Sequence, residues 1–327
     1  MKEIFIRLYV VSKFQVTLQH EKDMRQKVIG IGETVLDIIF HNNQPQRAVP
    51  GGSTFNAMIS LSRCGIPTVF ISELGNDPVG RLIRSFMEKN RLSAGSVDFF
   101  DDGQTPISMA FLDENRNAEY TFYKDFPETR LNISFPEINE NDVLLFGSYF
   151  AVNPVLRNKV RELLRYARAQ QAILYYDINF RKAHAGERQA LLPGFIENFE
   201  SATIVRCSDE DLEVLFPQKS PAEIYEQYFL PAKKILIITR GEKNIELKTP
   251  SWEKTYPVKA VIPVSTIGAG DNFNAGFVYG IMKNNLSRAS FDALPEKQWD
   301  RLMDWAQFFA TQVCLSLDNY VPENFLI

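Results

Sequence analysis

The chain has 327 residues, 45% of them apolar and 23% charged, with a formal net charge of −4. That length fits one large α/β domain or two ordinary ones, and the composition supports a sizeable core. The slightly acidic balance, with no basic stripe and no polybasic patch, argues against nucleic acid and membrane surfaces as partners. Cys64, Cys207 and Cys314 are far apart, form no CxxC pair, and stand beside only three histidines. A disulfide framework or a Cys/His zinc site is therefore not expected, and a reducing, cytoplasmic setting is. The longest apolar runs, such as 143–146 and 235–238, are strand-length and fall short of the ~18 residues of a membrane span.

The first 26 residues alternate apolar and polar, with no long apolar block and no small-residue cleavage site, so they do not read as a signal peptide. They are expected to be an extension outside the native fold, or an extra edge strand. Met24 is a candidate start, with the domain beginning near Lys27; N-terminal sequencing of native protein tests this. VIGIGE, from Val28, reads as a buried strand, and 36–40 as a second short one around Asp37. Phe55, Met58, Ile59 and Ser62 give 53–63 helical spacing, closed by Gly65 and Pro67. TVFISELG is a strand and 80–89 a helix. Segments 107–112 and 118–123, with a polar turn at 113–117, resemble a small antiparallel layer.

From Asp142 the alternation is regular. DVLLFGS, AILYYDIN, ATIVRCS and KKILIITRG read as strands. Helices are expected at 154–169, 192–199, 209–215, 221–228 and 271–282, and a long amphipathic one at 299–317. Such alternation predicts an α/β fold, with a parallel sheet flanked by helices. There is no internal repeat and no linker. One domain over 27–327 is expected, carrying a small β lid from about 34–50 and 105–124.

Gly268-Ala269-Gly270 leads directly into Asp271 and a helix. Glycines let backbone amides approach an anion, and the first amides of a helix lack internal partners. The stretch is a credible anion cradle, with Asp271 either a helix-start carboxylate or a base that takes a hydroxyl proton. Asp37 lies within an apolar run, where a charge needs partners or solvent. Gly51-Gly52 is a turn before a helix or a place where amides meet a ligand. Asn56, early in that helix, both donates and accepts. Arg181 follows the strand-end residues Asp177 and Asn179, and reads either as a surface ion-pair partner or as a phosphate ligand at the carboxyl edge of a sheet. Ser208, Glu210 and Asp211 are explained as a helix cap with acids in the first turn.

Several motifs occur together in one order. GAGDNFNAGF resembles the C-terminal signature of the ribokinase-like (PfkB-type) carbohydrate kinase family, and PGGSTFNAMISLSRCG resembles its N-terminal glycine-pair motif. GIGETVLD, RCSDEDLEVLF and ITRGEKN resemble its opening strand, metal-side segment and nucleotide loop. DINFR is similar to a strand-end motif of the fructokinase and ketogluconate-kinase branches. The matches run from about residue 27 to 315.

The resemblance implies a ribokinase-like fold and an ATP- and Mg²⁺-dependent sugar kinase. Asp37, Gly51, Gly52 and Asn56 would hold the sugar. Asp271 would be the base, Gly268, Ala269 and Gly270 the anion hole, and Arg181 a ligand of the transferring phosphate. Ser208, Thr239, Gly241 and Asn274 would lie on the nucleotide side, and Glu210 or Asp211 on the metal side. Asn244 stands where the family has a second loop glycine. Fructose is the first expectation, from DINFR and AEYTFYKDFP, with ketodeoxygluconate, ribose and nucleosides open. The β layer would close over the sugar; packing within it is the first reading of Phe111, Tyr120, Phe122 and Tyr123. A homodimer through the lid is a family option.

Ser265 departs from the family's usual Asp, and LSLDNYVP lacks the glycine-rich cation-loop ending. Little or no dependence on a monovalent cation is expected. Rival enzymes fit less well. GIGETV lacks the third glycine of a dinucleotide fingerprint, and no GxxxxGK[ST] occurs. A non-catalytic sugar or nucleotide sensor stays open, with the intact Asp271 against it.

Overall fold

The computed structural model describes residues 26–112, 118–323 and 325; the N-terminal segment 1–25 and the turn at 113–117 lie outside the described residues. β1 (Val28–Ile31) is buried along its whole length. β2 (Val35–His41) and β3 (Gln44–Gly51) form a hairpin that reverses at Asn42 and Asn43, with φ of 51° and 58°. A two-residue hairpin turn requires that left-handed pair, and asparagine tolerates it. α1 (Ser53–Arg63), β4 (Thr68–Gly75), α2 (Pro78–Lys89) and β5 (Val97–Phe100) follow. β6 (Gln104–Leu112) and β7 (Ala118–Asp125) complete the second sheet, in the order β3-β2-β6-β7. This layer is mixed, not wholly antiparallel, because β2 and β6 pair in parallel. Both leave parallel strands of the main sheet heading the same way, which fixes their relative direction.

The second half follows the expected alternation: β8 (Val143–Gly147), α3 (Ser148–Val152), α4 (Arg157–Ala169), β9 (Ile173–Asp177), α5 (Arg188–Ser201), β10 (Ile204–Ser208), α6 (Asp209–Leu215), α7 (Pro221–Ile224) and β11 (Ile235–Thr239). The helix expected at 154–169 begins at Arg157, and the short α3, which was not expected, ends before Asn153-Pro154. α5 begins at Arg188 and carries Pro193 inside, several residues before the expected start. A hairpin not anticipated from sequence, β12 (Asn244–Lys248) and β13 (Glu253–Pro257), closes one edge; its alternating burial suits an edge position. α8 (Ala269–Lys283) and α9 (Glu296–Cys314) end the chain.

Among the described residues the main sheet has nine strands, in the order β13-β12-β11-β10-β9-β8-β1-β4-β5. Neighbours from β5 to β11 pair in parallel, and the β12–β13 hairpin is antiparallel. The near-continuous apolar strands VIGI, VLLFG and ILIIT match a sheet covered on both faces. One core packs α1, α2, α8 and α9 on one face, including Phe55, Met58, Phe277 and Trp299. The other packs α4, α5 and α6 on the opposite face, including Leu163, Phe195 and Leu212. Asp177, Ser208 and Thr239 are the last residues of β9, β10 and β11, so the carboxyl edge collects the candidate groups.

Candidate active site

Two helix N-termini meet at this edge. α1 starts after Gly52, whose φ of 130° is closed to ordinary side chains, and a Cβ there would strike the carbonyl of Glu33. α8 starts after Gly268, left-handed at φ 78°, where a Cβ would lie 2.9 Å from the carbonyl oxygen of Asn319. The first backbone bond of α8 runs from Asn272 N to Gly268 O, and Ala269 N donates to Thr266 O. The amides of Gly270 and Asp271 therefore have no partner inside the helix, and the helix dipole adds positive potential there.

The Asp271 carboxylate faces the other helix. It accepts from Ser53 Oγ at 2.7 Å and from Asn56 Nδ2 at 2.8 Å, both in the first turn of α1. Burial raises its pKa above the ordinary carboxylate value, while those two hydrogen bonds and the charges of Arg181 and Arg206 oppose the rise. Ser53 was not singled out from sequence; its position one residue after the glycine pair was the available signal. Among the described residues, the buried Oδ1 of Asn56 has no hydrogen-bond partner. A buried acceptor left open in this way suits a hydroxyl donor from a ligand.

Asp37, on β2, packs against Gly51: a Cβ on Gly51 would collide with the Asp37 carboxylate. Burial raises the Asp37 pKa to about 6; the nearby Ser108 hydroxyl opposes this, and the charges of Asp271 and Glu33 add to it. Asp37, Gly51, Gly52, Asn56 and Asp271 thus come together, and Arg181, an exposed residue, is close enough for its charge to act on Asp271. A carboxyl with a raised folded-state pKa binds its proton more tightly when folded, so stability falls as pH rises from about 4 to 6. Replacing Asp37 by Asn is expected to raise the thermal midpoint at pH 8 while weakening sugar binding. Thermal scans with sugar titrations check this; a lower midpoint at pH 8 would contradict the assignment of a poorly solvated carboxylate.

Other predicted residues are engaged beneath the cradle. Asp211 Oδ1 accepts from Phe180 N and Oδ2 from the backbone and hydroxyl of Ser208, which forms a capping box on α6. Both Asp211 oxygens are thus engaged, whereas Glu210 is exposed and its carboxylate has no hydrogen bond among the described residues. Thr239 Oγ1 accepts from Arg206 Nη2 at 2.6 Å. Asn274 Nδ2 donates to Asp177 Oδ2 at 2.8 Å, and its Oδ1 accepts from Tyr175. Gly241 carries φ 53° with open space around it, so the loop turns there, and Asn244 opens β12 in extended backbone. Arg206 was also missed from sequence. It is a lone charge in the buried strand IVRCS, and the argument that marks Asp37, a charge inside an apolar run, applies to it equally.

A parallel sheet with a small second sheet, and a glycine step opening a helix beside a carboxylate, define a ribokinase-like kinase architecture. The chain matches the pfkB family carbohydrate kinase domain over residues 26–293 and belongs to that family. Among its curated relatives, fructokinase-1 of Zea mays is 25% identical over 273 residues, covering 80% of this chain and 84% of the relative. A fructokinase of Rhizobium leguminosarum bv. trifolii is 27% identical, covering 72% of each chain. Of solved structures, an engineered fructokinase double mutant from Vibrio cholerae O395, in a form bound to fructose, ADP and potassium ion, has TM-score 0.77 at 20% identity, covering 90% of this chain and 94% of that one. Aminoimidazole riboside kinase from Salmonella enterica, complexed with aminoimidazole riboside and an ATP analogue, has TM-score 0.76 at 19% identity, covering 92% and 97%. The fold expected from sequence is thus borne out, and the enzyme is a carbohydrate kinase.

Proposed function

We propose that this enzyme transfers the γ-phosphoryl group of ATP to a primary hydroxyl of a small sugar, with fructose the first candidate. The observation that carries the proposal is the meeting of the two helix starts: Asp271 held by Ser53 and Asn56, beside the amides of Gly270 and Asp271. The sugar lies against Asp37, Gly51 and Gly52, with a hydroxyl donating to the open Oδ1 of Asn56. Asp271 accepts the proton of the attacking hydroxyl, and the Gly268-Ala269-Gly270 turn presents amides to the charge that develops on the transferring group. Arg181 contributes positive charge at the same edge. The four-stranded lid closes over the sugar and excludes water.

ATP lies along the ends of β10 and β11, near Ser208, Thr239, Gly241 and Asn274. Mg²⁺, when bound, neutralises charge on its phosphates. Glu210, whose carboxylate is open, is the acid we assign to hold that ion through water, because the Asp211 oxygens are already engaged. Of the four nucleotide-side residues, Thr239 and Asn274 act through the buried network that they support.

A monovalent cation is not required in this reading. Ser265 Oγ accepts from Ile267 N at 3.2 Å, and the amides of Val264 and Ser265 donate to Cys314 O, so protein contacts hold this turn. Exchanging K⁺ for a large inert cation is expected to leave kcat unchanged; a several-fold rise with K⁺ would contradict it. Phe111 and Tyr123, on the lid face opposite Asp37, are 36% and 58% exposed, which supports a homodimer through that face.

ADP release measured against fructose, ketodeoxygluconate, ribose and a nucleoside tests the substrate class. Turnover is expected with fructose and lost with Asp271→Asn. Saturable binding without turnover of any of them would favour a sensor.

A further inference from the structure

Arg206 is the only charged residue in IVRCS, and it is 7% exposed. Its Nη1 is 3.0 Å from Asp177 Oδ1, and its Nη2 donates to Thr239 Oγ1. An acid–amide contact, Asn274 Nδ2 to Asp177 Oδ2, fixes the far side of Asp177. The guanidinium thereby stands directly under the phosphate cradle: a Cβ built on Gly270 would lie 3.1 Å from Nη2 and 3.3 Å from Nη1. Its buried Nε has no hydrogen-bond partner among the described residues, so the two anchors do not exhaust its donors. Asp177 alone does not account for this placement, since an ion pair between β9 and β10 needs no contact with α8.

We propose that Arg206 is a positioning residue that holds a fixed positive charge against the underside of the anion cradle, stabilising charge on the transferring phosphoryl group. The proposal rests on the kinase reading above. Held by two neighbours, the charge needs no reorganisation during transfer, and a low-dielectric site strengthens its effect. A Cβ at Gly270 would require the guanidinium to give by a few tenths of an ångström, so the two are in close contact. Charge at this distance favours the transition state, where negative charge spreads over the phosphoryl oxygens, more than it favours neutral sugar.

Removing Arg206 alone would leave Asp177 buried and unpaired, so the main test replaces the pair with neutral residues. Arg206→Met/Asp177→Asn is compared with wild type and Arg206→Lys, using MgATP and the sugar that the wild type phosphorylates. We expect the double variant to fold with a cooperative thermal transition and to lose kcat by about tenfold or more, with the sugar KM near its wild-type value. A folded double variant with wild-type kcat would overturn the proposal.

If that variant does not fold, pH profiles of Arg206→Gln and Arg206→Lys decide. The Arg206 charge lowers the proton affinity of Asp271. The acidic limb of kcat/KM should therefore move to higher pH in the Gln variant and stay in place in the Lys variant. A limb unmoved by Gln, or moved equally by both, would overturn it. An inactive wild type would refute the kinase reading itself; an active wild type with unaffected variants refutes only the role of Arg206.

Discussion

Asp271→Asn is expected to lower kcat by about 10²–10⁴-fold, the contribution of a positioned general base. The amide keeps the size of the carboxylate but accepts no proton. Ser53 and Asn56 both donate to this side chain, so one of its new N–H donors faces an existing donor. Removal of a poorly solvated charge offsets that loss at neutral pH, because burial disfavours ionised Asp271 in the folded state. The net change in stability is expected to stay within about 1 kcal/mol. A steady-state assay alongside thermal denaturation separates the two effects. A variant retaining a tenth of wild-type kcat would remove Asp271 as the base.

Gly268→Val is expected to be nearly as damaging, for a different reason. The residue has φ 78°, where a side chain costs about 1–2 kcal/mol. The new Cβ also meets the Asn319 carbonyl, which already accepts from Asn272 Nδ2 at 2.8 Å. The turn has to shift, and the amides of Gly270 and Asp271 move with it. Loss of one such donor corresponds to about 10²–10³ in kcat. In the proposed reading Asp37 and Asn56 hold the sugar, so its affinity should change much less. A large rise in sugar KM with kcat intact would show that the cradle is not where charge develops.

Local pattern carried most of the fold. The parallel strands are apolar runs of five or so residues, and the capping box at Ser208–Asp211 was visible as a serine with an acid three residues on. The β12–β13 hairpin was not, because its alternating polar residues resemble a loop and its strand character comes from pairing with β11. The parallel β2–β6 pairing is likewise set by the main sheet and by no residue within either strand.

At the site, GAGD and the glycine pair were legible because backbone constraints leave glycine as their mark. That Asn56 touches Asp271 was not, since 215 residues separate them. Arg206 shows the same limit. Its partners Asp177 and Thr239 sit 29 and 33 residues away, on neighbouring strands, and Asn274 joins the network from α8, 97 residues from Asp177. The lone charge in IVRCS is legible by the argument that marks Asp37, but only the register of the strands places it beside Asp177, Thr239 and Gly270.

The small sheet connects to the start of α8 through residues 317–320. Arg47 on β3 pairs with Asp318 and donates to the carbonyl of Leu317, Tyr320 donates to the Pro50 carbonyl, and Asn319 lies against Gly268. Residues 317–320 therefore touch both β3 of the small sheet and Gly268 at the start of α8.

The most direct test is the product itself. Enzyme, MgATP and fructose are incubated, and phosphorus NMR follows every phosphate species. One sugar monophosphate ester on a primary hydroxyl should appear for each ADP formed. ADP with free inorganic phosphate and no sugar ester would contradict transfer to sugar.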